Sequence, residues 1–137
     1  MSEEINDKGL LWKQYEVLCE LYKFYLDLII KSNLFFYAIT GGIMTYIFTN
    51  PKIPMMRWSL ALPVMLSLSL AVISLRGVKQ ARELKDELYK LRDELEIGLA
   101  PHVDILVFAL QSTGVIYLFV AVLMLLLFFF FDLWFLA

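Results

Sequence analysis

The chain contains very little of the chemistry on which enzymes and metal sites depend. Its 137 residues include one cysteine, Cys19, and one histidine, His102. These two side chains are a nucleophile and a base, but no recognisable pattern supplies an orienting group or an oxyanion site. No glycine-rich phosphate-binding loop is present either, because Gly41 and Gly42 lie within an apolar run. We therefore expect no enzyme activity, no catalytic residue, no metal site and no cofactor.

Other absences narrow the class of protein further. A lone cysteine excludes an internal disulfide framework. Residues 1–8 are acidic and polar and lack the basic start of a signal peptide, so we expect the N-terminus to be retained. Twelve basic and fourteen acidic residues are intermixed and give a net charge of −2, which provides no basic surface for nucleic acid. With 61% hydrophobic residues, the sequence predicts a single helical membrane domain over residues 1–137.

Two apolar runs, residues 32–49 and 58–75, contain no charged residue at all. Each run has eighteen residues, and as a helix it would extend about 27 Å, close to the hydrocarbon thickness of a bilayer. The loop between them holds Pro51, Lys52, Pro54 and Arg57. This pattern predicts a hairpin of two transmembrane helices.

A third apolar stretch covers residues 103–137, which is longer than one straight span requires. We predict the third span at residues 114–131, again eighteen residues long. Asp132 would then lie at the far membrane interface, where Arg57 or Lys52 can pair with it. No ionisable residue lies deep in any predicted span, which argues against a proton relay or an ion-coupled transporter.

Two further helices are predicted outside the membrane, at residues 8–31 and 76–97. On both, apolar residues alternate spacings of four and three, as in coiled coils. Because the two helices leave the membrane on the same side, we expect them to pack antiparallel as a coiled-coil-like stalk. The predicted stalk seam consists of Leu11, Tyr15, Leu18 and Tyr22 on the first helix and Leu84, Leu88, Leu91 and Leu95 on the second.

The predicted helix at residues 8–31 has a wider apolar surface than one neighbouring helix could cover. Its polar residues form one narrow stripe, made of Lys13, Glu16, Glu20, Lys23, Asp27 and Lys31. Most of the remaining circumference is apolar, which predicts contacts on more than one side. Alternatively, residues 24–30 lie partly among the lipid headgroups and Lys31 extends its amine towards water.

A stripe of small or weakly polar residues recurs every four positions in the first span. Its members are Asn33, Tyr37, Gly41, Thr45 and Thr49. One interpretation is a packing seam against the second span, which has its own series of Ser59, Pro63, Ser67, Ala71 and Ser74. The other is the lining of a narrow pore formed by several copies of the chain.

The connection between the second and third predicted spans raises a question of length. Gly98 is predicted to end the charged helix and Pro101 to begin the next one. The charged helix extends about 33 Å from the membrane, whereas about eleven residues lead back, or about 17 Å of helix. Either Gly77 bends the stalk, the segment after Gly98 is extended, or residues 103–110 lie along the membrane surface. The sequence leaves open whether residues 103–113 belong to the stalk, the interface or the third span.

The distribution of lysine and arginine predicts the orientation. Four precede the first span and six lie in residues 76–111, against two in the hairpin loop and none after the third span. By the positive-inside rule, the N-terminus and the charged helix are cytoplasmic and the C-terminus is outside the plasma (inner) membrane.

The succession of a cytoplasmic helix, a two-span hairpin and a second cytoplasmic helix, residues 8–97, resembles the SLATT-type small membrane effectors of bacterial conflict and antiphage systems. The third span lies outside this shared plan. The resemblance implies an oligomeric effector that permeabilises the inner membrane when a sensor protein signals. The functions expected are therefore a homo-oligomeric pore or membrane-disrupting effector or, alternatively, a non-conducting scaffold or regulatory subunit whose stalk docks a partner. The expected partners are the bilayer, further copies of the chain and a cytoplasmic sensor.

Overall fold

A computed structural model describes residues 2–53 and 55–135, and side chains from residue 7 to residue 133 within those ranges. Pro54 of the predicted loop therefore lies outside the described residues. The described part is helical and contains no strand. Three of its helices are long and apolar enough to cross a membrane, by length and composition. In chain order the elements are α1 (Ser2–Thr49), a 3-10 turn (Met56–Leu60), α2 (Ala61–Glu94), α3 (Asp104–Phe129) and α4 (Phe131–Phe135).

Helix α1 is a single helix of 48 residues. It contains both the predicted cytoplasmic helix and the predicted first span, without a break at their junction. No glycine or proline occurs between Gly9 and Gly41, so nothing in that stretch disfavours the helix strongly. The helix ends at Thr49, two residues before Pro51, which cannot continue it.

Helix α2 likewise joins the predicted second span to the charged helix, and Gly77 does not interrupt it. It is entered through the 3-10 turn, which follows Met55 in the left-handed conformation at φ 63°. A left-handed methionine is unusual because its Cβ crowds the backbone. The chain thus reverses direction within a short, tightly turned loop.

The end of α2 differs from the prediction. The residue in the left-handed conformation is Glu96, at φ 54°, and no glycine has a positive φ among the described residues. The amide of Ile97 donates to the carbonyl of Arg92 at 3.1 Å, and that of Glu96 donates to Asp93 at 3.2 Å, which is a Schellman ending. The prediction of Gly98 as the terminator was therefore wrong by two residues.

The start of α3 resolves the question of length. Asp104 lies level with Lys85, because the Lys85 Nζ is 2.6 Å from an Asp104 carboxylate oxygen. The last turns of α2 extend beyond this level, and the chain returns through a non-helical segment that includes Pro101. Pro101 thus precedes α3 by three residues and does not form its first turn. Residues 104–113 belong to the same helix as the predicted third span, so the alternative of a separate surface segment is wrong.

The interior consists of three buried clusters along the helices. The first joins the predicted stalk parts of α1 and α2 to the start of α3 and contains Tyr15, Ala81, Leu84, Leu88, Val103 and Leu106. The other two clusters lie along the candidate spans. The second contains Phe36, Ala71 and Tyr117. The third contains Ile47, Met56, Leu60 and Phe131. Between α2 and α3 the approach is close, since a Cβ built on Gly114 would lie 2.9 Å from Cγ of Leu75.

Candidate functional site

The predicted stalk seam lies around the first cluster. Tyr15, Leu84 and Leu88 are buried there, with Leu88 fully inaccessible. Four further members of the seam, Leu18, Tyr22, Leu91 and Leu95, are partly buried and pack against these residues. Leu11 is half-buried. The predicted stalk parts of α1 and α2 therefore share one apolar interior.

The segment that connects α2 to α3 completes this cluster. The sequence did not predict that contribution. The Tyr15 hydroxyl donates a hydrogen bond to the carbonyl of Leu99 at 2.9 Å, and the Tyr22 hydroxyl donates to the carbonyl of His102 at 3.4 Å. Burial raises the pKa of both tyrosines. These two hydroxyls attach the returning segment to α1, and Val103 is fully buried beside them.

The ion pair of Lys85 with Asp104 adds a polar contact between α2 and α3. The hydrogen bond from the Lys85 ammonium to the Asp104 carboxylate raises the pKa of Lys85. The ring of Tyr89 lies between two cations, 5.5 Å from the Lys85 Nζ and 4.8 Å from the guanidinium carbon of Arg92. Both distances are within the range of cation–π attraction.

The small-residue stripe of the first span mostly faces away from the rest of the protomer. Asn33 turns inward and accepts a hydrogen bond from the Tyr117 hydroxyl. Tyr37 is 54% exposed, and a Cβ on Gly41 would meet nothing within 4 Å. The exposed hydroxyls of Thr45 and Thr49 donate to carbonyls of their own helix. The stripe beyond Asn33 therefore does not pack against the second span.

Helix geometry explains this arrangement. A spacing of four residues advances about 40° around a helix beyond one full turn, so five positions at that spacing sweep about 160°. The row begins at the inner face with Asn33 and ends near the outer face with Thr49. The inner face of the span consists instead of Phe36, Thr40 and Ile47, which are 1%, 8% and 0% exposed.

The corresponding small residues within α2 are buried; Ser74 lies against α3, and Ala71 packs with Phe36 of α1 and Tyr117 of α3. Ser67 and Ala71 are almost inaccessible, and the Cβ of Ser74 lies 3.4 Å from a Cβ built on Gly114. The Ser67 hydroxyl donates to the carbonyl of Pro63 at 2.6 Å. The two predicted series therefore do not pack against each other.

Opposite its inner face, α1 carries a straight line of exposed residues, which we call the outer face. Its residues follow one another at spacings of three and four, averaging close to the helical period, so they stay within one narrow sector. Leu34 is its one large apolar member. The outer face consists of Gly9, Lys13, Glu16, Glu20, Lys23, Asp27, Lys31, Leu34, Ala38, Gly41, Thr45 and Thr49, all exposed.

The exposed surface of α3 has the opposite composition. Phe119, Val122, Leu126 and Phe129 are exposed between 47% and 75%, and the lower half of the helix continues with large apolar side chains. Such a surface is suited to lipid tails. The outer face of α1 therefore differs from the exposed surface of α3, because it is made mainly of small, hydroxyl and charged residues.

A groove of about 520 Å³ lies between the predicted stalk parts of α1 and α2. Leu11, Val17, Leu18 and Leu91 provide its apolar surface. Charged side chains of both signs surround it, namely Lys13, Glu87, Lys90 and Glu94. The groove is open, and its residues can contact a further helix or loop.

The described residues contain no group of three or more histidine, cysteine or carboxylate side chains that could hold a metal ion. The candidate site is therefore a surface, formed by the outer face of α1 and the groove beside it. A scan of protein-family models found no match to this chain, and searches of curated proteins and of solved structures found none either.

Proposed function

We propose that the protein is a homo-oligomeric integral protein of the plasma (inner) membrane that forms a pore or otherwise permeabilises the bilayer. In this proposal it acts as an effector, with antiphage defence in bacteria as the setting suggested by its resemblance to SLATT-type proteins. The N-terminus and the stalk are cytoplasmic, and the C-terminus is outside.

The outer face of α1 carries this proposal. A span that faces lipid gains nothing from glycine and threonine, whereas small residues allow helices or water to approach closely. In the outer face, Gly41, Thr45 and Thr49 continue the line of charged residues on the aqueous part of the same helix. A ring of α1 helices with this face turned to the axis would have a polar lining from the cytoplasmic end into the membrane.

The flanks of the outer face support assembly. Trp12 lies on one flank at 52% exposure, and Val17 and Phe24 lie on the other at 61% and 59%. These apolar side chains belong to the aqueous part of α1, where exposure to water is unfavourable. Contact between the flanks of neighbouring copies would cover them, and closed cyclic symmetry would leave no unpaired flank.

Ion flux through planar bilayers tests the pore directly. Thr45→Leu places a large apolar side chain on the outer face and is expected to abolish flux while the oligomer mass stays unchanged. Ser69→Leu is the matched control, because Ser69 is an exposed hydroxyl residue of the α2 span; its flux should equal that of the wild type. Wild-type flux in Thr45→Leu, or a monomeric mass of the wild type in nanodiscs, would overturn the proposal.

Thiol labelling of intact cells tests the orientation. In a Cys19→Ser background, Lys52→Cys should react with a membrane-impermeant reagent from outside, and Glu20→Cys should react only after lysis. Both positions are exposed, so access to the reagent depends on the side of the membrane. The reverse pattern would invert the topology.

The groove between α1 and α2 favours a second candidate function, a non-conducting scaffold or regulatory subunit whose stalk docks a partner protein. An apolar surface surrounded by charges of both signs is suited to an amphipathic helix. Expression in cells separates the two functions, because a permeabilising protein admits a membrane-impermeant dye and reduces viability. A scaffold does neither. Its binding of a partner protein would be lost on Val17→Asp, which alters the groove, but not on Thr45→Leu.

A further inference from the structure

A pocket of about 300 Å³ lies where the hairpin loop meets the end of the third span. Three charged side chains line it, Lys52 and Arg57 from the loop region and Asp132 from α4. Trp58 also lines the pocket, and its ring packs against Phe128 with the centroids 5.4 Å apart. The pocket is thus at the end of the candidate spans, where a bilayer crossed by these helices would have its lipid headgroups.

The charges in this pocket are incompletely paired. Arg57 and Asp132 approach to 3.5 Å, which is longer than the 2.7–2.9 Å typical of a charge-assisted hydrogen bond. Their side chains are 46% and 66% exposed. Lys52 forms no ion pair with any residue in the described ranges. Two cations and one carboxylate therefore have hydrogen-bonding capacity available in one pocket.

We propose that this pocket binds the headgroup of one phospholipid that carries a primary ammonium, with the phosphate held by Lys52 and Arg57 and the ammonium held by Asp132 and the ring of Trp58. Phosphoethanolamine is such a headgroup. At about 30 Å³ for each of its eight heavy atoms, as for liquid water, it needs about 240 Å³, which the pocket provides.

The combination of charges selects this ligand over two others. A glycerol headgroup has the phosphate but no cation for Asp132. Choline has a cation without N–H groups, so it cannot donate a hydrogen bond to the carboxylate. A primary ammonium can form the charge-assisted bond that Asp132 makes only weakly with Arg57, and it can also lie over the indole of Trp58.

Native mass spectrometry of the full chain tests the proposal. The protein is equilibrated in detergent with equal amounts of phosphatidylethanolamine, phosphatidylglycerol and phosphatidylcholine, and the lipids retained per protomer are identified. We expect the wild type to retain phosphatidylethanolamine in preference to the other two. Arg57→Gln should reduce this retention about fivefold, the effect of removing one basic side chain beside a phospholipid surface. Asp132→Asn should still retain lipid but lose the preference for ethanolamine over choline.

Arg76→Gln is the matched control, because Arg76 is an exposed arginine at the other end of the second predicted span. Its retention should equal that of the wild type. Lys52→Gln repeats the test of the cationic side if Arg57→Gln alters the elution of the folded protein. Equal retention of all three lipids, preference for phosphatidylglycerol, or full displacement of the lipid by inorganic phosphate would each overturn the proposal.

Discussion

Small residues occur in two parts of this molecule and have different surroundings. In the contact between α2 and α3, Gly114 lies against Leu75 and Ser74, with no room for a Cβ. In the span of α1, a Cβ on Gly41 or Gly42 would meet nothing within 4 Å. The protomer thus uses small residues to bring α2 and α3 together, but it leaves those of α1 unused. In a membrane, small residues promote close contact between helices. The contact of α2 with α3 is already formed within the protomer, whereas the small residues of α1 remain available for contact with another molecule.

The contact of α1 with the other helices is not made by small residues, in contrast to the contact of α2 with α3. It is made by large side chains. Tyr15 and Phe36 pack with α2 and α3, and Ile47 packs with the 3-10 turn, α3 and α4. Of the three long helices, α1 is the one whose candidate span has an exposed line containing Gly41, Thr45 and Thr49. With the proposed pore, this comparison predicts that variants of packed residues change folding, whereas variants of the outer face change ion flux.

Leu88→Asp should have the largest effect on folding. Leu88 is fully buried in the first cluster, and an unpaired carboxylate there should destabilise the protein by about 4 kcal/mol or more. Denaturant unfolding in detergent micelles measures the loss. Leu99→Asp is the control, since Leu99 is 84% exposed, and it should change the unfolding free energy by about 0.5 kcal/mol or less. An equal effect of both would show that the first cluster does not hold the protomer together.

Exchanging glycine for alanine compares the two regions directly. Gly114→Ala forces its new methyl group against Leu75 and should cost about 1–3 kcal/mol of protomer stability. Gly41→Ala should instead stabilise the protomer by about 1 kcal/mol, because alanine favours helix and the site is open.

Ion flux should respond in the other order to the same pair of variants. Gly41→Ala is expected to reduce flux through planar bilayers, because the added methyl group narrows the lining that the outer face forms in the proposed pore. Folded Gly114→Ala should keep the wild-type flux. If Gly41→Ala leaves the flux unchanged, the outer face does not line a water path at Gly41.

Raising the pH should have the smallest effect on stability. This effect is confined to the ion pair between Lys85 of α2 and Asp104 of α3. The hydrogen bond to Asp104 raises the pKa of Lys85 above its ordinary value of 10.5. Its contribution to stability is therefore complete below pH 10.5 and is lost as the pH rises through the higher pKa of the folded state. The difference in melting temperature between the wild type and Lys85→Gln should stay constant up to that pH and then narrow. A constant difference throughout would mean that the ion pair does not stabilise the fold.

The sequence predicted those features that depend on a repeated spacing. Alternating spacings of four and three keep residues on one face, so Tyr15, Leu18, Leu84 and Leu88 are found together in the first cluster. The constant spacing of four in the first span does not, which is why the stripe runs from the inner face towards the outer one. The inward-facing Phe36 and Ile47 were missed because large apolar residues such as Leu34, Phe35 and Phe48 also occur on the exposed side of this span, so apolar character alone does not identify the packed face.

Features that depend on one local conformation were not predictable in the same way. Gly98 was the natural terminator of α2, but Glu96 takes the left-handed position. The hydrogen bonds from Tyr15 and Tyr22 to the carbonyls of the returning segment have no signal in sequence spacing, because backbone carbonyls occur at every residue. The pairing of Asp132 with Arg57 was predicted as one of two options, and the structure selects it.

The continuity of α1 has a mechanical consequence. Its 48 residues form one rod about 72 Å long, with no hinge at the junction between the predicted stalk helix and the predicted first span. A partner that turned the helix about its axis at Trp12 would turn Thr45 through the same angle, since no intervening segment can absorb the torsion. A shift of one residue in the stalk register would rotate the outer face by about 100° and move it by about 1.5 Å. A small change of registry outside the membrane is thus enough to replace one face of the span with another.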